Sequence, residues 1–239
     1  MISSDVIFGT LNSREDLNLT FTHADKGSPD VHTEYVEVPG RPPVDLSELA
    51  GRVQYNNRKM VIEFEYTGFD WEAEKQLVLA KLHGRKMQIR FLNDPDWYYT
   101  GRCTVKSKIN GSTIHFTVDV TADPYKRMYN EPVEDLYVEG DVPAEFTITN
   151  PTDFPSKPRI RVSGTGDGTL TVGNKTITLT DIDEYIVIDS MLMDCYKGTL
   201  NQNAKVALTE FPMFKPGVNN LAYTGDITGL EVLGRWWTL

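Results

Sequence analysis

Long apolar runs, cysteine clusters and paired histidines are missing from this sequence, and each absence closes off a class of function. No apolar stretch approaches the roughly 20 residues that span a bilayer, so no membrane segment is expected. The opening Met1–Asp5 has neither a basic patch nor the apolar core of a secretion signal, which predicts a chain made and kept in the cytoplasm. Cys103 and Cys195 belong to no Cys-x-x-Cys or Cys/His cluster and are expected as reduced core thiols. His23, His32, His83 and His115 show no i, i+4 or His-x-His spacing, so no metal site is expected. The Gly-x-Ser-x-Gly elbow, the Gly-x-x-x-x-Gly-Lys phosphate loop and a helix-opening Gly-x-Gly-x-x-Gly are all absent. Basic charge is scarce too: 24 Lys and Arg face 34 Asp and Glu, giving −10. That balance opposes binding to a phosphate backbone, and nucleic acid is not an expected ligand.

What is present is a globular composition with the punctuation of a β protein. Apolar residues make up 40% and charged residues 24%, near the averages for folded domains. Alternating or β-branched runs recur between Gly, Pro, Asn and Asp, as in Lys59–Tyr66, Met87–Leu92, Ser112–Val120 and Ala144–Thr149. In the third of these, Ile114, Phe116, Val118 and Val120 share one face and His115, Thr117 and Asp119 the other, which predicts a half-buried strand.

One segment breaks the pattern. Residues 70–83 read as a helix, capped by Asp70, with Glu72 and Glu74 at the positive end of the dipole and Gly84 as a left-handed stop. Trp71, Val78 and Leu82 form its apolar stripe, expected to pack on a sheet or a neighbouring subunit. Charge and proline rise after Tyr125, and a domain boundary is placed near Gly140, giving units of 1–140 and 141–239. Beyond it, Arg159–Val162, a turn at Gly164–Gly168, Thr169–Val172, a Gly173-Asn174 hairpin turn, Thr176–Thr180 and Glu184–Asp189 predict an antiparallel sandwich.

Few residues invite chemistry. Asp181, Asp183, Glu184 and Asp189 are the first candidates for a glycosidase acid/base pair, weighed against a solvated turn and strand face. Aromatic groups at Trp97–Tyr99 and Trp236-Trp237, with Tyr185 and Tyr196, are candidates for a carbohydrate platform. Adjacent aromatics on a strand point to opposite faces, so core or subunit packing is the better reading of the first two. A flavin-binding split barrel is a further alternative.

An ordered series of segments resembles the distal tail protein family of long-tailed bacteriophages. It comprises Val38–Arg41 followed by Val44–Leu46, then Tyr55–Arg58, Leu82–Gly84, Asp94–Arg102, Asp123–Lys126, Asn150-Pro151, Pro158–Ile160, Phe211–Asn219 and Arg235–Leu239. The resemblance runs through the chain with no inserted module. It implies a mainly β protein of two domains: an N-terminal β-sandwich or split-barrel-like domain carrying the helix, and a C-terminal galectin-like antiparallel β-sandwich. It further implies a structural subunit and not an enzyme, with no catalytic residue, cofactor or metal. The N-terminal domains would form a hexameric ring at the virion tail tip, singly or stacked. That ring would join the tail-tube protein to a tail-associated fibre or lysin protein, and its outer domains would hold receptor-binding proteins.

On that reading Arg41, Tyr55, Trp71, Val78 and Trp97 are the expected subunit contacts. Pro42 and Pro43 lack N–H donors, so Pro39–Pro43 is expected as a stiff extended connection that docks on a neighbour at little entropic cost, or else as an edge turn. The family pattern has a Gly-containing stretch where Pro42-Pro43 stands. The net negative charge suits a channel that repels DNA, with Asp25 to Asp30 and Glu131 to Asp135 as candidate lining loops.

Overall fold

Alternation of apolar and polar residues builds both halves of the molecule. The computed structural model describes residues 5–47, 53–137 and 144–239. Its contacts divide the chain into a first unit, Met1–Tyr129 with Leu239, and a second, Asn130–Thr238. The boundary expected near Gly140 lies outside the described residues.

The main sheet of the first unit is antiparallel, in the order Leu11–Asn12, Val6–Phe8, Lys86–Phe91, Trp97–Asn110, Thr113–Ala122, Arg58–Tyr66, Thr20–Asp25, with Lys126–Met128 also paired to Trp97–Asn110. The expected face of Ile114, Phe116, Val118 and Val120 is buried. Phe8 and Phe64 sit on strands four places apart, which in a flat sheet would lie about 19 Å from each other. Their ring centroids are 6.0 Å apart. The sheet therefore curls on itself, as a split barrel does.

Helix Trp71–Leu82 forms where it is predicted, with Asp70 Oδ1 accepting a bond from the Ala73 amide at 3.1 Å. Val78 and Leu82 are buried in the core cluster of this unit. Trp71 shares their angular position but is the first residue of the helix and stays 41% exposed, so the stripe is covered only along its later turns. At the other end, Gly84 donates to the Cys103 carbonyl at 2.8 Å and His83 Nδ1 accepts the Val105 amide at 3.1 Å, which explains the Leu82–Gly84 motif.

In the second unit the turn expected at Gly164–Gly168 is not a turn. Arg159–Val172 is one continuous strand, as are Lys175–Asp189 and Gly217–Leu233, and the glycines mark bends within them. The bend is sharp. Tyr223 Oη donates to the carbonyl of Thr228 at 3.3 Å, although five residues of straight strand would separate their Cα atoms by about 17 Å, beyond the reach of a tyrosine side chain. Gly225 makes it possible: its φ is +81°, and a β-carbon there would meet the Asp167 carbonyl oxygen at 2.6 Å. The Gly173-Asn174 hairpin forms as expected, pairing Val172 with Lys175. The strand order is Glu134–Leu136, Gly217–Leu233, Arg159–Val172, Lys175–Asp189, Asp194–Lys197, Leu200–Asn201, with Ala144–Asn150 also on Gly217–Leu233. Ile160, Val162, Leu170, Ile177, Leu179, Ile186 and Ile188 are buried in it.

Candidate assembly surface

Between the strands Thr20–Asp25 and Arg58–Tyr66 the chain leaves the first sheet. Tyr35–Val36 pairs antiparallel with Val44–Asp45, and the tip closes through a bond from the Arg41 amide to the Val38 carbonyl at 3.1 Å. Pro39 and Gly40, with φ +77° at Gly40, occupy the central positions of a type II turn. Of the two expectations for Pro39–Pro43, the turn is the one that forms, as a hairpin tip. Pro42 and Pro43 stop the ladder, but Pro39-Gly40 is the dipeptide that turn requires. Every residue from Val31 to Asp45 is exposed, including Val31, Tyr35, Val36 and Val44. A solitary two-stranded ribbon is marginal in water, and this one covers none of its own apolar side chains.

The five residues expected at a subunit contact are not brought together. Arg41 is exposed at the ribbon tip. Tyr55 lies at its root, bridged to Val31 and edge-on to Tyr125 at 6.2 Å. Trp97 is half-buried under the Lys126 ammonium, 5.3 Å from the ring centroid, while Lys126 also pairs with Asp94 at 3.0 Å. Trp71 starts the helix at the opposite end of the Arg58–Tyr66 strand. Val78 is a correction: at 0% exposure it packs in the protomer's own core and offers nothing to a neighbour.

Sequence reasoning passed over Phe69, which is 107% exposed. The signal was present. Phe69 precedes the helix cap, where an apolar residue ordinarily packs against the fourth helical residue. That residue is Glu74, whose carboxylate instead accepts from Asn18 Nδ2 at 3.2 Å. Burial raises the Glu74 pKa above the ordinary carboxylate value, against that bond. Phe69 is left without its usual intramolecular partner.

The terminal motif closes the second unit. Arg235, at φ +57°, donates two bonds of 2.6 and 2.7 Å to Asp189. Glu131 accepts the amides of Arg235 at 2.5 Å and Trp236 at 3.2 Å. Trp236 packs 5.7 Å from Phe214, Trp237 stacks 4.6 Å from Phe154, and Trp237 Nε1 donates to the Pro155 carbonyl at 3.1 Å. Asn150 Nδ2 bonds the Phe154 carbonyl at 2.8 Å. Motifs scattered over 90 residues of sequence thus meet in one cluster, which is packing at the chain's end and not a sugar platform.

The acidic candidates are engaged in the same way. Lys197 pairs with Asp183 at 2.9 Å and Glu184 at 3.0 Å, and Lys205 pairs with Asp181 at 2.7 Å. The Lys197 bond holds Asp183 below the usual carboxylate range. Burial opposes the charge of Asp189, but Arg235 and the Leu192 and Met191 amides outweigh it and lower its pKa. A lowered pKa favours the charged form of both, the opposite of the raised pKa that a glycosidase's general acid carries. For the sugar alternative, one face of the Tyr185 ring is taken by the Arg161 guanidinium, 4.1 Å from its centroid. Cys103 and Cys195 are both free and buried.

Charge is unevenly shared between the units. Of the acidic and basic residues, 18 and 16 lie in residues 1–129, leaving −2, while 16 and 8 lie in residues 130–239, leaving −8. Net charge therefore gives no support to an acidic lumen built by the first unit. Glu134–Leu136, from the other candidate lining loop, is a strand of the second sheet.

These features define a mainly β protein of two antiparallel units, the first carrying one helix and a projecting ribbon. No family model and no curated protein matches the sequence. Among solved structures the chain is similar to the Dit protein (gp 19.1) of phage SPP1, described as a paradigm of the hub adsorption apparatus in phages infecting Gram-positive bacteria. The TM-score is 0.74 at 13% identity, over 98% of this chain and 99% of that one. The chain thus shares the fold of that protein along nearly its whole length.

Proposed function

We propose that this protein is a structural subunit of a phage tail tip, forming a hexameric ring that joins the tail tube to the tail-associated fibre or lysin and the receptor-binding apparatus. The observation that carries this reading is the shared fold with a phage adsorption hub, which leaves almost no residue of either chain unmatched. A further module inserted in the scaffold would have left part of the chain uncovered. The fold alone does not specify a role, and the ribbon supplies an independent reason. It exposes apolar side chains on a two-stranded hairpin that needs a partner.

In this reading the first unit makes the ring, with Arg41, Tyr55, Trp71 and Trp97 among its contact residues, and the second unit faces outward toward partner proteins. The work is assembly, with no cofactor. Electron microscopy of the purified full-length protein at high concentration, alone and with the tail-tube protein of the same phage, tests it. Six-fold rings are expected. Persistent monomers in both samples, or rings of another symmetry, would overturn the reading.

A further inference from the structure

Among the described residues of the first unit, the apolar side chains of the ribbon and those at the start of the helix stand exposed at opposite ends of one strand. The ribbon is rooted just before Arg58, through the Val31–Tyr55 bridge and a bond from the Asn56 amide to the Asp30 carbonyl at 2.8 Å. Phe69 and Trp71 follow the other end of the same strand, Tyr66. Eight steps of strand place the two roots about 27 Å apart. The ribbon does not lie on Phe69, since Phe69 is fully exposed.

Two different patches on opposite ends of a unit make a head-to-tail contact, in which each copy offers one patch to the copy before it and the other to the copy after. Net charge opposes such a contact less in one unit than in the other. The first unit, at −2, can approach another like itself, whereas second units at −8 repel one another. Chemistry matches as well: the ribbon presents Val31, Tyr35, Val36 and Val44, and the recipient presents a bare phenyl ring beside a half-bare indole.

Building on the ring reading, we propose that the Val31–Asp45 ribbon of one copy docks over Phe69 and Trp71 of the next, so that the helix start is the socket of a heterologous interface. Phe69 remains open in the monomer because Glu74 denies it a partner within its own chain.

Disulfide trapping tests the contact, and the two native thiols are buried out of its way. Full-length Phe69→Cys protein is mixed with Tyr35→Cys, Val36→Cys or Val44→Cys protein and oxidised. Covalent dimers containing one of each are expected for at least one pair, with none from any variant alone. The matching double variant is expected to give a ladder of higher oligomers. Dimers from Phe69→Cys alone would overturn the proposal, because they indicate a two-fold contact. Rings in the microscope with no cross-link from any mixture would also overturn it while leaving the ring reading intact. Neither rings nor cross-links would remove both. As a second measurement, Phe69→Ser is expected to weaken self-association roughly tenfold or more without moving the thermal unfolding temperature. Unchanged association would count against the socket.

Discussion

Arg235 closes on Asp189 with both guanidinium nitrogens, and the carboxylate it meets is only 1% exposed. The same Asp189 oxygen that faces Arg235 Nη1 accepts the amides of Met191 and Leu192, each at 3.0 Å. One pair thus ties the chain's last residues to the hairpin between Lys175–Asp189 and Asp194–Lys197.

Breaking that pair from one side leaves a buried charge without its counter-ion. Arg235→Ala is expected to destabilise the second unit by about 3 kcal/mol. The effect should depend on pH with a fixed sign. The folded pKa of Asp189 is lowered, so its contribution is present above the unfolded carboxylate pKa and lost as pH falls through the folded value. Urea denaturation of wild type and variant from pH 7 down to pH 3 should show the two converging in acid. A gap that stays constant would mean the arginine acts through packing alone.

Glu74 has the opposite sign. Burial raises its folded pKa, so its contribution is full below the unfolded pKa and lost as pH rises through the folded one. Its Oε1 is buried without a partner. Glu74→Gln is expected to stabilise the first unit by about 1 kcal/mol at pH 7, with the gain fading toward pH 4. Thermal melts at the two pH values check this, and destabilisation at pH 7 would show that the carboxylate is worth more charged than neutral.

At the bend of the long strands, Gly225 is held at φ +81° with backbone where a side chain would begin. Gly225→Ala combines left-handed strain with a steric clash and is expected to cost at least about 2 kcal/mol. Chemical denaturation measures it. A neutral result would mean that the Tyr223–Thr228 bond does not require so tight a bend.

Burial pushes the Cys103 thiol up to about 11, and burial with the Asp194 charge does the same for Cys195. Both should resist a thiol-specific reagent in the native protein at pH 8 and react fully once unfolded. Rapid labelling of either in the native state would show that its unit opens locally at low cost.

Much of the fold was legible because it rests on local chemistry. Period-two alternation marked the strands, Asp70 and Gly84 bracketed the helix, and Gly173-Asn174 announced its hairpin. The bend at Gly164–Gly168 reads as a turn in the sequence because glycine relaxes the backbone in the same way in both. The antiparallel pairing of Arg159–Val172 with Lys175–Asp189 on one side and with Gly217–Leu233, some 60 residues away, on the other distinguishes them.

The sequence by itself determined that this is a β protein with one helix, acidic and without a catalytic motif, because composition, periodicity and capping act over a few residues at a time. Tertiary structure alone decided that Val78 faces the core while Trp71 does not, that Arg235 finds Asp189 and Glu131, and that the Val31–Asp45 ribbon stands free. Those outcomes depend on which surfaces the curled sheet covers. Coverage is a property of the whole packed chain, set by contacts between segments too far apart for any local pattern to record.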